Sequence, residues 1–110
     1  MQGLGVDVSL ISRFEGKEDL AKRILSPAEY EEYGQRGDKA AYLSSRFSVK
    51  ESYVKASGEK DIDYRDLEVR HDVDGKPLLF RKGKPVDCLL SISHDFVSIA
   101  VLLLKKGCDL

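Results

Sequence analysis

The sequence predicts an α+β domain in which one strand and three helices precede a set of mostly antiparallel strands. Three observations lead to this prediction. Residues 4 to 10, LGVDVSL, alternate between apolar and small or polar side chains, which indicates a strand. The stretch SPAE at residues 26 to 29 is a capping box that opens a helix. After residue 60 the apolar residues alternate again, and the pair Asp74-Gly75 is typical of a β-hairpin.

Length and composition indicate one small globular domain covering residues 1–110. The chain is 42% hydrophobic and 34% charged, and its 18 basic and 19 acidic residues give a net charge of -1. This balance provides no overall field for nucleic acid, and no apolar run is long enough to cross a membrane. We therefore expect a cytoplasmic protein without nucleic-acid or membrane partners. Cys88 and Cys108 lack metal-ligand spacing and are expected to be free thiols.

The first strand separates two kinds of side chain. One face carries Gly5, Asp7 and Ser9, and the other carries Leu4, Val6, Val8 and Leu10. The alternation predicts a half-buried strand with a carboxylate on its face of small residues. Gly5 beside that carboxylate lets another backbone or a ligand come close.

Three helices are expected between residues 12 and 57. The first spans residues 12 to 25 and is weakened by Gly16, and the second opens at Ser26. The third and longest runs from about Asp38, as N-cap, to about Ser57, and Gly58 ends it. Beyond it, DLEVRHDV and KPLLF form the hairpin, DCLLSISH is a further strand, and FVSIAVLLL is predicted to be a strand buried on both faces.

The long helix carries a narrow polar strip between two apolar sectors. This strip contains Ser44, Ser48, Glu51 and Lys55, and its small hydroxyl side chains suggest a groove. Glu51 and Lys55 are one helical turn apart, so an ordinary surface ion pair explains them equally well. A carboxylate on a separate element changes this balance, because Asp7 together with Glu51 would supply oxygen ligands for Mg²⁺.

Five motifs in this order resemble the holo-acyl-carrier-protein synthases, a family of phosphopantetheinyl transferases: GVDVSLISRFE, RILSPAEYEEY, RFSVKESYVKASG, DGKP and SISH. The resemblance covers nearly the whole chain. It implies the phosphopantetheinyl transferase fold, with a long helix packed on a mostly antiparallel sheet. The implied reaction of fatty acid biosynthesis moves the 4'-phosphopantetheine group of coenzyme A to a serine of apo acyl carrier protein and releases adenosine 3',5'-bisphosphate.

The resemblance also implies roles for individual residues. Asp7 and Glu51 would bind Mg²⁺, and either Glu51 or a water would accept the serine proton. Lys55 would neutralise the pyrophosphate. Arg46 and His94 would contact coenzyme A at its 3'-phosphate, and Gly75, Lys76 and Pro77 would lie beside its adenine. Further candidates for phosphate contacts are Lys39, Lys50 and Ser93. Arg13 would meet the carrier protein, with Lys17, Lys22 and Arg23 extending its basic surface.

The family forms homotrimers with active sites between subunits, which suits a chain this small. One departure from the family pattern is the rapid return to apolar residues after SISH, which predicts a tighter turn and a different presentation of His94. Two other functions would fit the same residues. A non-catalytic nucleotide-binding module would keep the fold without transfer, and an oligomerisation domain would use the charged helix only for ion pairs.

Overall fold

Two three-stranded antiparallel sheets and three helices make up the fold of residues 2–105, the part of the chain that the computed structural model describes. The helices are α1 (Glu18–Ile24), α2 (Pro27–Gln35) and α3 (Lys39–Ser57). The strands are β1 (Gly3–Leu10), β2 (Leu67–His71), β3 (Pro77–Arg81), β4 (Lys84–Pro85), β5 (Cys88–His94) and β6 (Val97–Leu104). One sheet has the order β1-β6-β5 and the other β2-β3-β4. The predicted α+β class is confirmed.

The predicted helix over residues 12 to 25 is wrong in its extent. The structure has a 3-10 turn at Ile11–Phe14 and then the separate helix α1. Gly16 lies between them with φ +67°, a left-handed conformation that does not continue a helix. The glycine that weakened the prediction is therefore where the helix breaks.

The start of α2 and the end of α3 follow the sequence signals. Ser26 and Glu29 form the complete capping box of α2, and Gly58 ends α3 with φ +75°. Asp38 stands at the N-cap of α3, but its side chain makes no capping hydrogen bond there. Its carboxylate accepts instead from the guanidinium of Arg36, at 2.7 and 2.9 Å.

Strand β1 lies directly against the backbone of α3. A Cβ atom on Gly5 would stand 1.9 Å from the carbonyl oxygen of Ser52, and one on Gly3 would stand 1.9 Å from that of Ala56. Only glycine fits at such distances. The prediction that Gly5 permits the close approach of another backbone is confirmed, and that backbone belongs to α3.

Serines on α3 complete this contact, so the predicted groove beside them is wrong. Ser44, Ser48 and Ser52 have no exposed surface. Their hydroxyl groups pair with Ser98 at 2.6 Å, with Ser9 at 2.6 Å and with the carbonyl oxygen of Ala100 at 3.0 Å. Small side chains bring the helix and sheet together here, and every buried hydroxyl of the three has a partner.

The sheet β1-β6-β5 buries the face opposite to the one that its sequence suggests. Gly5, Asp7 and Ser9 face α3, whereas the apolar side chains of β1 are exposed by 42 to 67%. Strand β6, predicted to be buried on both faces, buries Ala100 and Leu102 but exposes Ile99 and Val101 by 38 and 40%. One apolar face of this sheet is therefore uncovered in the single chain.

The second sheet contains the predicted hairpin. Strands β2 and β3 pair from Leu67 with Arg81 to His71 with Pro77, and a loop of residues 72 to 76 joins them. Gly75 has φ +83° in this loop, as an Asp-Gly turn requires. The short strand β4 was not predicted. No helix within residues 2–105 is long and apolar enough to span a membrane.

We predict that Gly5→Ala destabilises the protein by roughly 1 to 3 kcal/mol, because its Cβ would force β1 away from α3. Urea unfolding followed by circular dichroism measures this change. Gly34→Ala is the matched control, since Gly34 lies within α2 and a Cβ there would have no atom within 4 Å. That variant should be as stable as the wild type or more stable. Equal stability of the two variants would contradict the packing argument.

Candidate active site

The contact between β1 and α3 places Asp7 beside Lys55. The Lys55 ammonium lies 3.3 Å from Oδ1 of Asp7 and donates to the carbonyl oxygen of Val6 at 3.0 Å. Oδ2 of Asp7 accepts from the hydroxyl of Ser9 at 3.2 Å. The side chain of Lys55 is 52% exposed and that of Asp7 only 13%, so a ligand can reach the ammonium from solvent. The sequence alternative was an ion pair of Lys55 with Glu51 along the helix. In the structure Lys55 pairs instead with Asp7, so the ion pair joins α3 to β1.

Glu51 stands one turn before Lys55 and is held by a residue that the sequence did not single out. The phenol of Tyr64, in the 3-10 turn Tyr64–Asp66, donates to Oε2 of Glu51 at 2.6 Å. Partial burial and the Glu51 carboxylate raise the pKa of Tyr64, and Asp7 adds to that effect. The two carboxylates thus act on the same phenol from different elements. We call Asp7, Glu51 and Lys55 the carboxylate cluster.

The donor set of this cluster suits a hard divalent cation. Mg²⁺ is commonly held by one or two carboxylates, with waters and substrate phosphates as its remaining ligands. Among residues 2–105, no group of three or more histidine, cysteine, aspartate or glutamate side chains could hold a metal ion by itself. Two carboxylates alone would leave most of the coordination of such an ion to water and substrate.

Lys50 occupies a different environment from Lys55. Its side chain has no exposed surface, and its ammonium lies 2.6 Å from Oε1 of Glu29 and 2.6 Å from the carbonyl oxygen of Ile24. Burial lowers the pKa of Lys50, while Glu29 opposes that shift. The other oxygen of Glu29 accepts from the backbone N–H of Val69 at 2.7 Å. The predicted contact of Lys50 with phosphate does not fit this position, because the ammonium is enclosed and already donates to Glu29 and Ile24.

A cavity of about 170 Å³ gathers several of the other predicted residues. Arg46 lies at its wall, 9% exposed, with its guanidinium 3.9 Å from the centre of the Tyr42 ring and donating to Ser45 at 3.1 Å. Within the described residues, the Nε of Arg46 is a buried donor with no hydrogen-bond partner. The residues that border this Arg46 cavity include Ser45, Arg46, His71, Gly75, Pro77 and His94. The sequence did not point to His71 or Ser45.

The remaining predicted contacts lie outside the Arg46 cavity. Ser93 is exposed and is paired with Ile99 on β6, one position before His94 and hence on the opposite face of the sheet. Lys76 borders a separate cavity of about 110 Å³, which Pro77 also borders. Lys39 is exposed at the start of α3 beside another cavity. Only Asp95 and Phe96 separate β5 from β6, so the predicted tight turn after His94 is confirmed.

Arg13 lies in the exposed 3-10 turn after β1. The turn is joined to the β5–β6 connection by a hydrogen bond from the backbone N–H of Ile11 to the carbonyl oxygen of Phe96, at 3.1 Å. Cys88 is a free and half-buried thiol, as expected, and Cys108 lies outside the described residues.

The carboxylate cluster and the Arg46 cavity lie on different sides of α3. The five residues from Arg46 to Glu51 rotate the helix by roughly 140°, so the two side chains leave it in different directions. A ligand that used both would have to pass around the helix or join sites from different copies of the chain.

Comparison with known proteins identifies the family. The model of the 4'-phosphopantetheinyl transferase superfamily matches residues 3–102. The holo-[acyl-carrier-protein] synthase of Pediococcus pentosaceus is 32% identical over 96% of this chain and 96% of its own length. That of a Geobacter species is 35% identical over 94% of this chain and 98% of its own. Among solved structures, the enzyme from Bacillus anthracis in complex with CoA (3',5'-ADP) superimposes with a TM-score of 0.79 at 32% identity, covering 93% of this chain and 94% of that one. The chain therefore belongs to the holo-[acyl-carrier-protein] synthase family of the 4'-phosphopantetheinyl transferase superfamily.

Proposed function

We propose that this protein transfers the 4'-phosphopantetheine group of coenzyme A to a serine of apo acyl carrier protein in fatty acid biosynthesis. The serine oxygen forms a bond to the phosphorus next to pantetheine, the pyrophosphate bond breaks, and adenosine 3',5'-bisphosphate leaves. The observation that carries this function to the chain is the inter-element contact of Lys55 with Asp7 beside Glu51, in a chain that belongs to this family. We expect the protein to act in the cytoplasm, where free thiols persist.

The carboxylate cluster supplies the groups that this transfer needs. Lys55 is exposed and charged next to Asp7, so it can neutralise the pyrophosphate as negative charge moves to the leaving bisphosphate. Glu51 is oriented by Tyr64 through one oxygen, which leaves its other oxygen for substrate or metal. We assign to Glu51 the acceptance of the serine proton, directly or through a water.

Asp7 and Glu51 are the proposed Mg²⁺ ligands. When bound, the ion would stabilise charge on the pyrophosphate oxygens. The contact of the Lys55 ammonium with Oδ1 of Asp7 supports this assignment, because this carboxylate already pairs with a positive charge.

The proposed function predicts a mass gain on the carrier protein. Incubation of the wild type with coenzyme A, Mg²⁺ and apo carrier protein should add the phosphopantetheine group to the carrier, as measured by mass spectrometry. Asp7→Ala and Glu51→Ala should abolish this gain while keeping the circular dichroism spectrum. Glu31→Ala is the matched control, because Glu31 is an exposed carboxylate of α2. Full transfer by either cluster variant at low Mg²⁺ would remove that residue from the metal site, and no transfer by the wild type would refute the function.

The role of Lys55 can be separated from its ion pair with Asp7. We predict that Lys55→Met, which keeps the aliphatic stem, lowers kcat by about a hundredfold through loss of transition-state charge stabilisation. Lys55 is half exposed, and Oδ2 of Asp7 keeps its hydrogen bond from Ser9, so the unfolding midpoint in urea should fall only slightly. Steady-state kinetics and urea unfolding measure the two effects, with the exposed Lys60→Met as control. A near-normal kcat in folded Lys55→Met protein would reduce Lys55 to a structural ion pair.

The Arg46 cavity is the proposed site of the 3'-phosphate of coenzyme A. Arg46 and His94 both border one space, so a guanidinium and an imidazole could donate to the same anion there. Gly75 and Pro77 border the same cavity and suit a position beside the adenine. We propose Arg13, exposed on its turn, as the contact to acidic groups of the carrier protein.

We further propose that the protein forms a homotrimer whose active sites lie between subunits. The uncovered face of the sheet β1-β6-β5 carries Leu4, Val6, Val8, Leu10, Leu89, Ile99 and Val101, each at least 38% exposed. Exposed apolar residues gathered on one face in this way usually mark a protein interface. Within one chain, the Arg46 cavity and the carboxylate cluster lie on different sides of α3. Copies joined across the apolar face could bring the Arg46 cavity of one chain to the carboxylate cluster of another.

Val101→Asp should dissociate the assembly and remove transfer activity, because it places a charge at the centre of this apolar face. Light scattering after size exclusion gives the mass of the assembly. Val73→Asp is the matched control, since Val73 is fully exposed in the loop between β2 and β3 and should leave the assembly unchanged. A wild type that is monomeric at assay concentrations, yet fully active, would exclude interfacial sites.

A further inference from the structure

The Arg46 cavity contains a second histidine with no part in the contacts proposed above. His71 and His94 come from different sheets, at the ends of β2 and β5, and both border the same cavity of about 170 Å³. At about 30 Å³ for each water in the liquid, the cavity has room for a phosphate group. His71 therefore needs a functional explanation that the family motifs do not give.

The hairpin between β2 and β3 fixes the position of His71. His71 pairs with Pro77 across the hairpin, and several hydrogen bonds close the loop between these two residues. The backbone N–H of Asp72 donates to the carbonyl oxygen of Lys76, and Oδ1 of Asp72 accepts from the N–H groups of Asp74 and Lys76, each at 2.9 Å. The loop that brings Gly75 and Pro77 to the cavity thus brings His71 to it as well.

The electrostatic surroundings of His71 favour an anion in the cavity. Partial desolvation and the nearby Arg46 guanidinium lower the pKa of His71, with Arg36 adding to this effect and Glu32 and Asp72 opposing it. Both opposing carboxylates have other partners. Glu32 accepts from the phenol of Tyr42 at 2.8 Å, and Asp72 accepts from the loop amides. A neutral imidazole still carries one N–H donor, so His71 can bind an anion without being protonated.

Arg46 supplies the second, independent indication of a ligand. It is nine-tenths buried at the cavity, and its Nε has no partner among the described residues. A guanidinium charge buried to this extent is costly without a counter-charge, and an anion in the cavity that Arg46 borders would supply one.

We propose that His71 donates a hydrogen bond to the 3'-phosphate of coenzyme A. Imidazoles from both sheets, together with the Arg46 guanidinium, then bind this phosphate. The inference rests on the proposed function, since it specifies how the same substrate is recognised. It makes His71 a residue that distinguishes coenzyme A from its analogue without the 3'-phosphate.

Calorimetric titration of the full-length protein with coenzyme A and with dephospho-coenzyme A, both with Mg²⁺, tests this proposal. His71→Phe keeps a ring of similar shape and removes both nitrogens. A lost hydrogen bond to a charged group should weaken coenzyme A binding by roughly tenfold or more, whereas dephospho-coenzyme A should bind the variant and the wild type equally. Lys84→Met, which removes an exposed cation from the same sheet, should change neither affinity. His71→Ala replaces the phenylalanine variant if that one does not fold.

Each other outcome counts against the proposal. If both ligands lose affinity equally, His71 acts on the fold of the site and not on the 3'-phosphate. If neither ligand loses affinity, His71 does not contact substrate. In both cases the wild type still binds coenzyme A and transfers its phosphopantetheine group, so the proposed function stands. A wild type that binds no coenzyme A would overturn the function and this inference together.

Discussion

The position of the carboxylate cluster depends on how closely β1 can approach the backbone of α3. Gly3 and Gly5 leave no room for a Cβ against the carbonyl groups of the helix, and the buried serines of α3 keep the rest of the contact thin. Because β1 is this close, the stem of Lys55 can reach both the carbonyl oxygen of Val6 and the carboxylate of Asp7. A larger residue at Gly5 would separate the strand from the helix and with it the two halves of the cluster.

Two lysines five positions apart on α3 show how burial divides structural from chemical roles. Lys50 is enclosed with Glu29, which also accepts from backbone groups of Ser26 and Val69 and so ties α2, α3 and β2 together. Such a buried pair adds little net stability, but removal of one partner would leave a buried charge. Lys55 keeps half of its surface in water, where phosphate can reach its ammonium. The long helix thus buries one lysine in the fold and leaves the other open at the carboxylate cluster.

The same helix and sheet underlie the proposed assembly of several copies. The small residues of β1 are covered by α3, so its valines and leucines must point outward, together with Ile99 and Val101 of β6. This arrangement exposes an apolar face that suits further copies. The rotation of α3 sends Arg46 and Glu51 to different sides, which suits a substrate held between copies. The first feature follows from which strand face is buried, and the second from the rotation of the helix.

The sequence by itself determined the α+β class, the capping box at Ser26, the end of α3 at Gly58, the hairpin at Gly75 and the tight turn after His94, because each depends on local backbone chemistry. Motif order also indicated the family, and with it Asp7, Glu51 and Lys55 as candidates. Only the tertiary structure decided which face of β1 is buried and that Lys50 is enclosed whereas Lys55 is open. It also decided that Tyr64 contacts Glu51 in the carboxylate cluster and that His71 borders the Arg46 cavity. Periodicity shows that a strand or helix has two faces, but which one is buried depends on the elements that pack against it. Here glycine and serine allowed a backbone contact that no count of apolar residues would favour.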